Sequence, residues 1–199
     1  MPPLNLLFTV YDVFIGLKKL ISRNATDLQY IKAEMLKWMG KEAHVWISDM
    51  FNHALQHGIM YDWTTNWIKQ LHKGGDVINV NNYRTIIVGS LIEKLSGCIM
   101  ESKVSALAEK NGKRAYGQAS FRKHHTTIDH IVTLRVLMEE SHLRGKGLYC
   151  CFVDFKKAFD MVPREHLWRR MEELEVPSEY MLAISRIYEK VICCVRMRD

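Results

Sequence analysis

Between Thr26 and His57 the apolar residues Ile31, Met35, Trp38, Val45, Trp46, Met50 and Leu55 recur at near-helical spacing, with Gly40 and Gly58 as punctuation. This pattern predicts two amphipathic helices. After Trp63 and Trp67 the turn signals Lys73-Gly74-Gly75-Asp76 and Asn81-Asn82 precede the β-branched run Thr85-Ile86-Ile87-Val88, which predicts a hairpin with a basic loop. Leu91, Leu95, Ile99, Val104 and Leu107 predict a helix ending near Asn111-Gly112. A second set, Ile128, Ile131, Leu134 and Met138, predicts another ending near Gly145.

The stretch Leu148-Tyr149-Cys150-Cys151-Phe152-Val153 is continuously apolar and ends in Asp154. A strand covered on both faces has this composition, so the run predicts a buried strand that delivers a carboxylate. Pro163 suits the first turn of a helix carrying Leu167, Trp168, Met171 and Leu174, which Pro177 stops. A further helix carries Met181, Ile184 and Tyr188, and Val191 to Val195 reads as a last strand. The whole reads as continuous globular α/β material, without a repeat, a low-complexity tract or a linker.

Composition narrows the function classes modestly. At 199 residues, with 48% apolar and 25% charged residues, the chain can bury a core and is not a disordered tail. The net charge of +6 and pI near 9.0 favour polyanionic partners. Cysteines occur as Cys98 and the adjacent pairs Cys150-Cys151 and Cys193-Cys194, with no zinc-knuckle spacing. Both pairs sit in apolar runs, where cysteine is expected as a small buried hydrophobe, and a reducing compartment fits them.

The apolar opening from Leu4 to Leu17 lacks a preceding basic residue, is interrupted by Asp12 and is too short to cross a bilayer. An intracellular protein, nuclear or cytoplasmic, not secreted and without a membrane partner, is expected. On that basis the sequon Asn24-Ala25-Thr26 is a chance match.

Chemistry concentrates in Phe152-Val153-Asp154-Phe155-Lys156-Lys157-Ala158-Phe159-Asp160, an acid at a strand end followed five residues later by an aromatic. Taken alone, the acid could equally be solvated or cap the next turn. The segment resembles motif A of reverse transcriptases, in the version shared by non-LTR retroelements and group II intron proteins. Further blocks stand in that family's order: Lys73-x-Gly75-Asp76 with Asn82-Tyr83-Arg84, then Gln118-Ala119-Ser120-Phe121-Arg122-Lys123, then Thr126-Thr127-x-Asp129 leading to Leu134-Arg135. The resemblance covers about two thirds of the chain, from Trp67 onward, and continues more loosely through Ile31-Lys32-Ala33-Glu34.

The resemblance implies an α+β right-hand polymerase fragment, with mostly helical fingers and the first strand of an antiparallel palm sheet. Its divisions would be a helical region at 1–66, fingers at 67–147 and the start of the palm at 148–199. The implied activity is RNA-directed DNA polymerisation with two magnesium ions, an RNA template, a DNA primer and deoxynucleoside triphosphates.

Asp154 matches the first metal ligand and the carbonyl of Phe155 the main-chain ligand. Phe159 matches the aromatic that packs under the incoming sugar and excludes a 2′-hydroxyl. Lys73 and Arg84 match the cations that contact the triphosphate. Gln118, Phe121, Arg122 and Lys123 match a template-tracking segment. Asp160 is expected to stabilise the local turn.

Two departures stand out. Thr85 occupies a position where the family usually has proline, and Ser120 one where glycine is usual. The glycine-rich contact and the Tyr-x-Asp-Asp turn of later family motifs do not occur after Asp154. A lone carboxylate binds magnesium poorly, so the polypeptide by itself is expected to be inactive. The alternative function is a catalytically dead retroelement remnant acting at most as a nucleic-acid-binding module.

Overall fold

A computed structural model describes residues 7–23, 26–27, 29–58, 61–159, 161–189 and 191–195. The chain is mixed α and β and divides into two compact units, Met1–Val104 with Val176–Asp199, and Ser105–Glu175.

The first unit begins with α1 (Val10–Lys19), whose start is fixed by a reciprocal cap. Asp12 N donates to Thr9 Oγ1 at 3.1 Å, and Thr9 N donates to an Asp12 carboxylate oxygen at 2.8 Å. These bonds satisfy two donors that a helix start otherwise leaves open. Two further helices follow, α2 (Ala33–Trp38) and α3 (Lys41–His57), and Gly58 ends α3 at φ +101°. The two expected helices are present, but the buried stripe lies out of phase with the expected one. Ala33, Leu36, Ile47, Phe51 and Ala54 are buried, whereas Trp38 and Trp46 are 83% and 78% exposed. The packed face mixes the small Ala33, Ser48 and Ala54 with the large Leu36, Ile47 and Phe51, none of which belongs to the expected stripe.

The core gathers around an aromatic row. Phe8 and Phe51 meet at 5.3 Å, and Phe51 meets Trp63 edge-on at 5.7 Å. The chain entering α1 is pinned to α3 beside this row. Phe8 N donates to Asn52 Oδ1 at 2.7 Å, while the Phe8 carbonyl accepts from Ser48 Oγ at 2.7 Å and Asn52 Nδ2 at 2.9 Å.

A short turn of helix, α4 (Tyr61–Thr64), leads into β1 (Thr65–His72), and β2 (Tyr83–Val88) pairs with it antiparallel, as the hairpin reading expects. The long α5 (Leu91–Lys110) follows, its first amide donating to Asp27 Oδ2 at 2.8 Å. α5 passes Gly16 of α1 so closely that an added Cβ would meet Ile99 at 2.8 Å and Leu95 at 2.9 Å.

In the second unit, α6 (Thr127–Leu143) starts with a Thr126–Asp129 capping box and gives way to Gly145 at φ +62°. α7 (Arg164–Glu173) begins after Pro163, as expected. The first unit is completed by α8 (Ser178–Glu189) after Pro177 and by β3 (Ile192–Val195).

The sheet differs from the expected antiparallel palm. Its order is β2-β1-β3, and β3 runs parallel to β1, with Asn66 opposite Cys193 and Trp67 opposite Cys194. Nor is Leu148–Val153 a buried strand: these residues are irregular and exposed, Tyr149 by 97%. A strand must spend its backbone N–H and C=O groups on neighbours, and among the described residues no strand lies alongside this run. The expected burial of the cysteine pairs fails for the same reason at Cys150 and Cys151. Cys193 and Cys194 belong to a real strand but one that forms the open edge of the sheet, and all four are exposed. Asn24, Ala25 and Asp160 lie outside the described residues. No helix among the described residues is long and apolar enough to cross a membrane.

Contrasting glycines test the packing. Gly16→Ala is expected to destabilise by about 1–3 kcal/mol through overpacking against buried Leu95 and Ile99. Gly97→Ala, with open space around its Cβ inside α5, is expected to stabilise by about 0.5–1 kcal/mol. Denaturant unfolding of both variants reads the difference, and equal effects would refute this account of the α1–α5 approach.

A further check concerns Asp12. Partial burial raises its pKa, but the Thr9 hydrogen bonds and Lys103, 3.0 Å away, outweigh that and hold it below its usual value of 3.8. A depressed carboxylate contributes stability above its unfolded pKa and loses it as pH falls through the folded one. Thr9→Ala should therefore cost about 1 kcal/mol at neutral pH. The penalty should shrink below pH 3.8, as equilibrium unfolding across pH will show.

Candidate nucleotide and nucleic-acid site

The residues singled out from the sequence fall in both units. Lys73 and Arg84 belong to the first, on the hairpin. The other candidates, from Gln118 to Phe159, belong to the second.

On the hairpin, the loop is shaped by side chains that bond to nearby backbone. Asp76 Oδ1 accepts from Ile78 N at 3.0 Å, Asn82 Nδ2 donates to the Asp76 carbonyl at 2.8 Å, and Tyr83 OH donates to the Val77 carbonyl at 2.9 Å. Gly75 is required here twice over, by φ +86° and by Asn82 Nδ2 standing 2.8 Å from where a Cβ would be. Lys73 N donates to the Asn82 carbonyl at 2.7 Å and closes the loop.

Leu71 stands opposite Arg84 and Lys69 opposite Ile86. Strand alternation therefore places Lys69 and Arg84 on one face as diagonal neighbours, about 7–8 Å apart, with Lys73 next along that face. All three are exposed, and none is in an ion pair among the described residues. Lys69 was not among the candidates from sequence; the two-residue alternation Lys69-x-Leu71-x-Lys73 is the signal that reveals it. Thr85, where the family favours proline, is an ordinary strand residue opposite Gln70, and the two side chains bond at 3.3 Å.

The template-like block in the second unit is organised by one carboxylate. Glu109, on α5, receives Arg122 in a two-pronged bond, Nε at 2.8 Å and Nη2 at 3.0 Å, with Arg114 Nη1 3.6 Å away. The Arg122 hydrogen bond, with the nearby cations, holds Glu109 below the usual carboxylate range. Arg114 also donates to Ser105 Oγ at 2.8 Å and to the Phe121 carbonyl at 2.7 Å.

These bonds steady an unusual turn, because Phe121 and His124 adopt left-handed φ of +58° and +61°. Ser120, the position where glycine is usual in the family, does not; the left-handed turn falls on its neighbour. Arg122 is therefore spent on structure. Lys123 and Gln118 are exposed, and Gln118 only reaches the Ser120 carbonyl at 3.5 Å.

Asp154, Phe155 and Phe159 are all exposed, in the irregular segment and the turn that follows it. Phe159 meets Phe121 edge-on, with ring centroids 6.4 Å apart and planes at 84°. This contact joins two of the sequence blocks. Asp154 makes no hydrogen bond or ion pair among the described residues, and no cluster of three or more His, Cys, Asp or Glu side chains suited to a metal is present among them. Magnesium keeps its waters tightly and takes carboxylates together with phosphates. The described residues do not fit a two-magnesium site.

Compared with protein-family models and with curated proteins, the chain matches none.

The Phe121–Phe159 contact is testable by a double-mutant cycle in urea. Aromatic pairs of this geometry couple by about 0.5–1.5 kcal/mol beyond buried area, and a coupling of this order is expected on Phe121→Leu and Phe159→Leu. Strict additivity would mean that the two blocks do not meet.

Proposed function

We propose that the chain is part of an RNA-directed DNA polymerase of a retroelement, contributing fingers and the start of the palm. The reading is supported chiefly by the contact between Phe121 and Phe159, because motif A and the template-like block, 38 positions apart in the chain (159 − 121), meet as one polymerase face would require. The hairpin adds Lys69, Lys73 and Arg84, three exposed cations on one face at spacings suited to a polyphosphate.

In this reading Lys73 and Arg84 hold the triphosphate of an incoming deoxynucleotide. By the same resemblance Phe159 takes the role of the aromatic that packs under a nucleotide sugar, and Gln118, Phe121 and Lys123 follow the template. Arg122 acts indirectly, by holding the left-handed turn that presents Phe121. Asp154 supplies one carboxylate toward the two magnesium ions that the family resemblance implies, and the rest of that ligand set is not found among the described residues. RNA template, DNA primer and deoxynucleoside triphosphates are the partners of this proposal. A dead remnant that only binds nucleic acid is the competing reading, favoured by the solitary Asp154.

Primer extension on an RNA template with magnesium decides between them. This chain alone should extend nothing, while a version lengthened with a Tyr-x-Asp-Asp segment should polymerise and lose activity on Asp154→Ala. Failure of the lengthened version would leave the remnant. Binding of an RNA–DNA hybrid, read by fluorescence anisotropy, should weaken on Glu109→Gln as the turn that presents Phe121 loses the carboxylate anchoring Arg122, and Lys123→Ala should weaken it with the log–log salt slope reduced by about one phosphate contact. Unchanged binding in both variants would remove the basic block from the interface.

A further inference from the structure

The C-terminal end of α3 carries two histidines that no part of the polymerase reading uses. His53 and His57 are four residues apart, and their rings face each other with centroids 4.3 Å apart and planes inclined at 39°. Both are exposed, and among the described residues no ring nitrogen of either has a hydrogen-bond partner.

Four-residue spacing puts two side chains on one helical face, one above the other. The helix therefore removes most of the conformational freedom that two free imidazoles would lose on sharing a ligand. The pair also sits where the aligned peptide dipoles leave partial negative charge, since Gly58 caps the helix immediately after His57. A cation is favoured there, yet no Lys or Arg occupies the last turn, whose basic residue is His57. Asp49, exposed one turn before His53, adds a carboxylate to the same helical face without being able to converge on the same ion as His57.

We propose that His53 and His57 chelate a divalent transition-metal ion of the imidazole-preferring class, Cu2+, Ni2+ or Zn2+, with water completing the coordination. Metal–nitrogen bonds of about 2.0–2.1 Å bridge two facing rings with small rotamer adjustments. Affinity should follow the usual order, Cu2+ above Ni2+ and Zn2+. Mg2+, which prefers oxygen ligands, should not bind here. The site is separate in residues and in chemistry from the carboxylate at Asp154, so it stands whether or not the chain is a polymerase.

The test is calorimetric titration of the full chain with Ni2+ or Zn2+, at a pH above the ordinary histidine range and with the five cysteines alkylated so that thiols cannot compete. One site is expected, weakened by at least about tenfold in His53→Ala and in His57→Ala and unchanged in His130→Ala. Equal binding by wild type and His57→Ala would overturn the proposal. Should an alanine variant lose its far-UV circular dichroism, trace Cu2+ on the wild type replaces it: selective paramagnetic broadening of the His53 and His57 ring signals supports the site, and broadening confined to other histidines refutes it.

Discussion

The backbone of Phe8 is the point on which the first unit turns. Its N–H and C=O are both consumed by α3, through Asn52 and Ser48, while its ring joins Phe51 and Trp63. Polar clamp and apolar contact reinforce each other, because a buried amide left unpaired would cost what the ring gains. With Phe8 fixed, α1 has one direction to run, and Gly16 lets it approach α5 at Leu95 and Ile99. Asp27 then holds the first amide of α5. Three contacts between residues distant in sequence thus fix the placement of a 20-residue helix.

Local signals were read correctly wherever the cause of the structure is local. The glycines at 58, 112 and 145 adopt positive φ where helix ends were expected, and Pro163 and Pro177 stand at helix starts. Turn residues between Lys73 and Asn82 yield a hairpin because Asp76, Gly75 and Asn82 bond within the loop itself. What failed depends on distant partners. Whether Leu148–Val153 becomes a strand is decided by whether another strand offers its backbone, and hydrophobicity carries no information about that. Similarly, the phase of the buried stripe on α2 and α3 is set by Phe8 and α1, so Ala33 and Ala54 went inside while Trp38 and Trp46 stayed out.

The candidate site was legible as a set of residues and less so as an arrangement. Order and spacing of the blocks singled out Phe121 and Phe159, which do meet. They could not show that Arg122 is committed to Glu109, because the partner lies 13 positions away on a helix whose acidic residues look like ordinary solvated charge. Lys69 was missed because a lone lysine in an apolar stretch attracts no notice until strand register pairs its face with Arg84. The His53–His57 pair is illegible from spacing alone, because two histidines four apart become facing rings only once the segment is helical, and no cysteine stands near them in the chain.

One feature of the second unit bears on how such a sequence changes over generations. α6 buries none of its side chains, yet both its ends are chemically defined, by Thr126 with Asp129 at the start and by Gly145 after the finish. A helix held by its ends is indifferent to most of what it carries between them. Point changes along Ile128–Leu143 that preserve helix propensity are then nearly invisible to folding. Sequence change along α6 is therefore limited less by folding than by whatever touches the helix, the reverse of the tightly packed helices of the first unit.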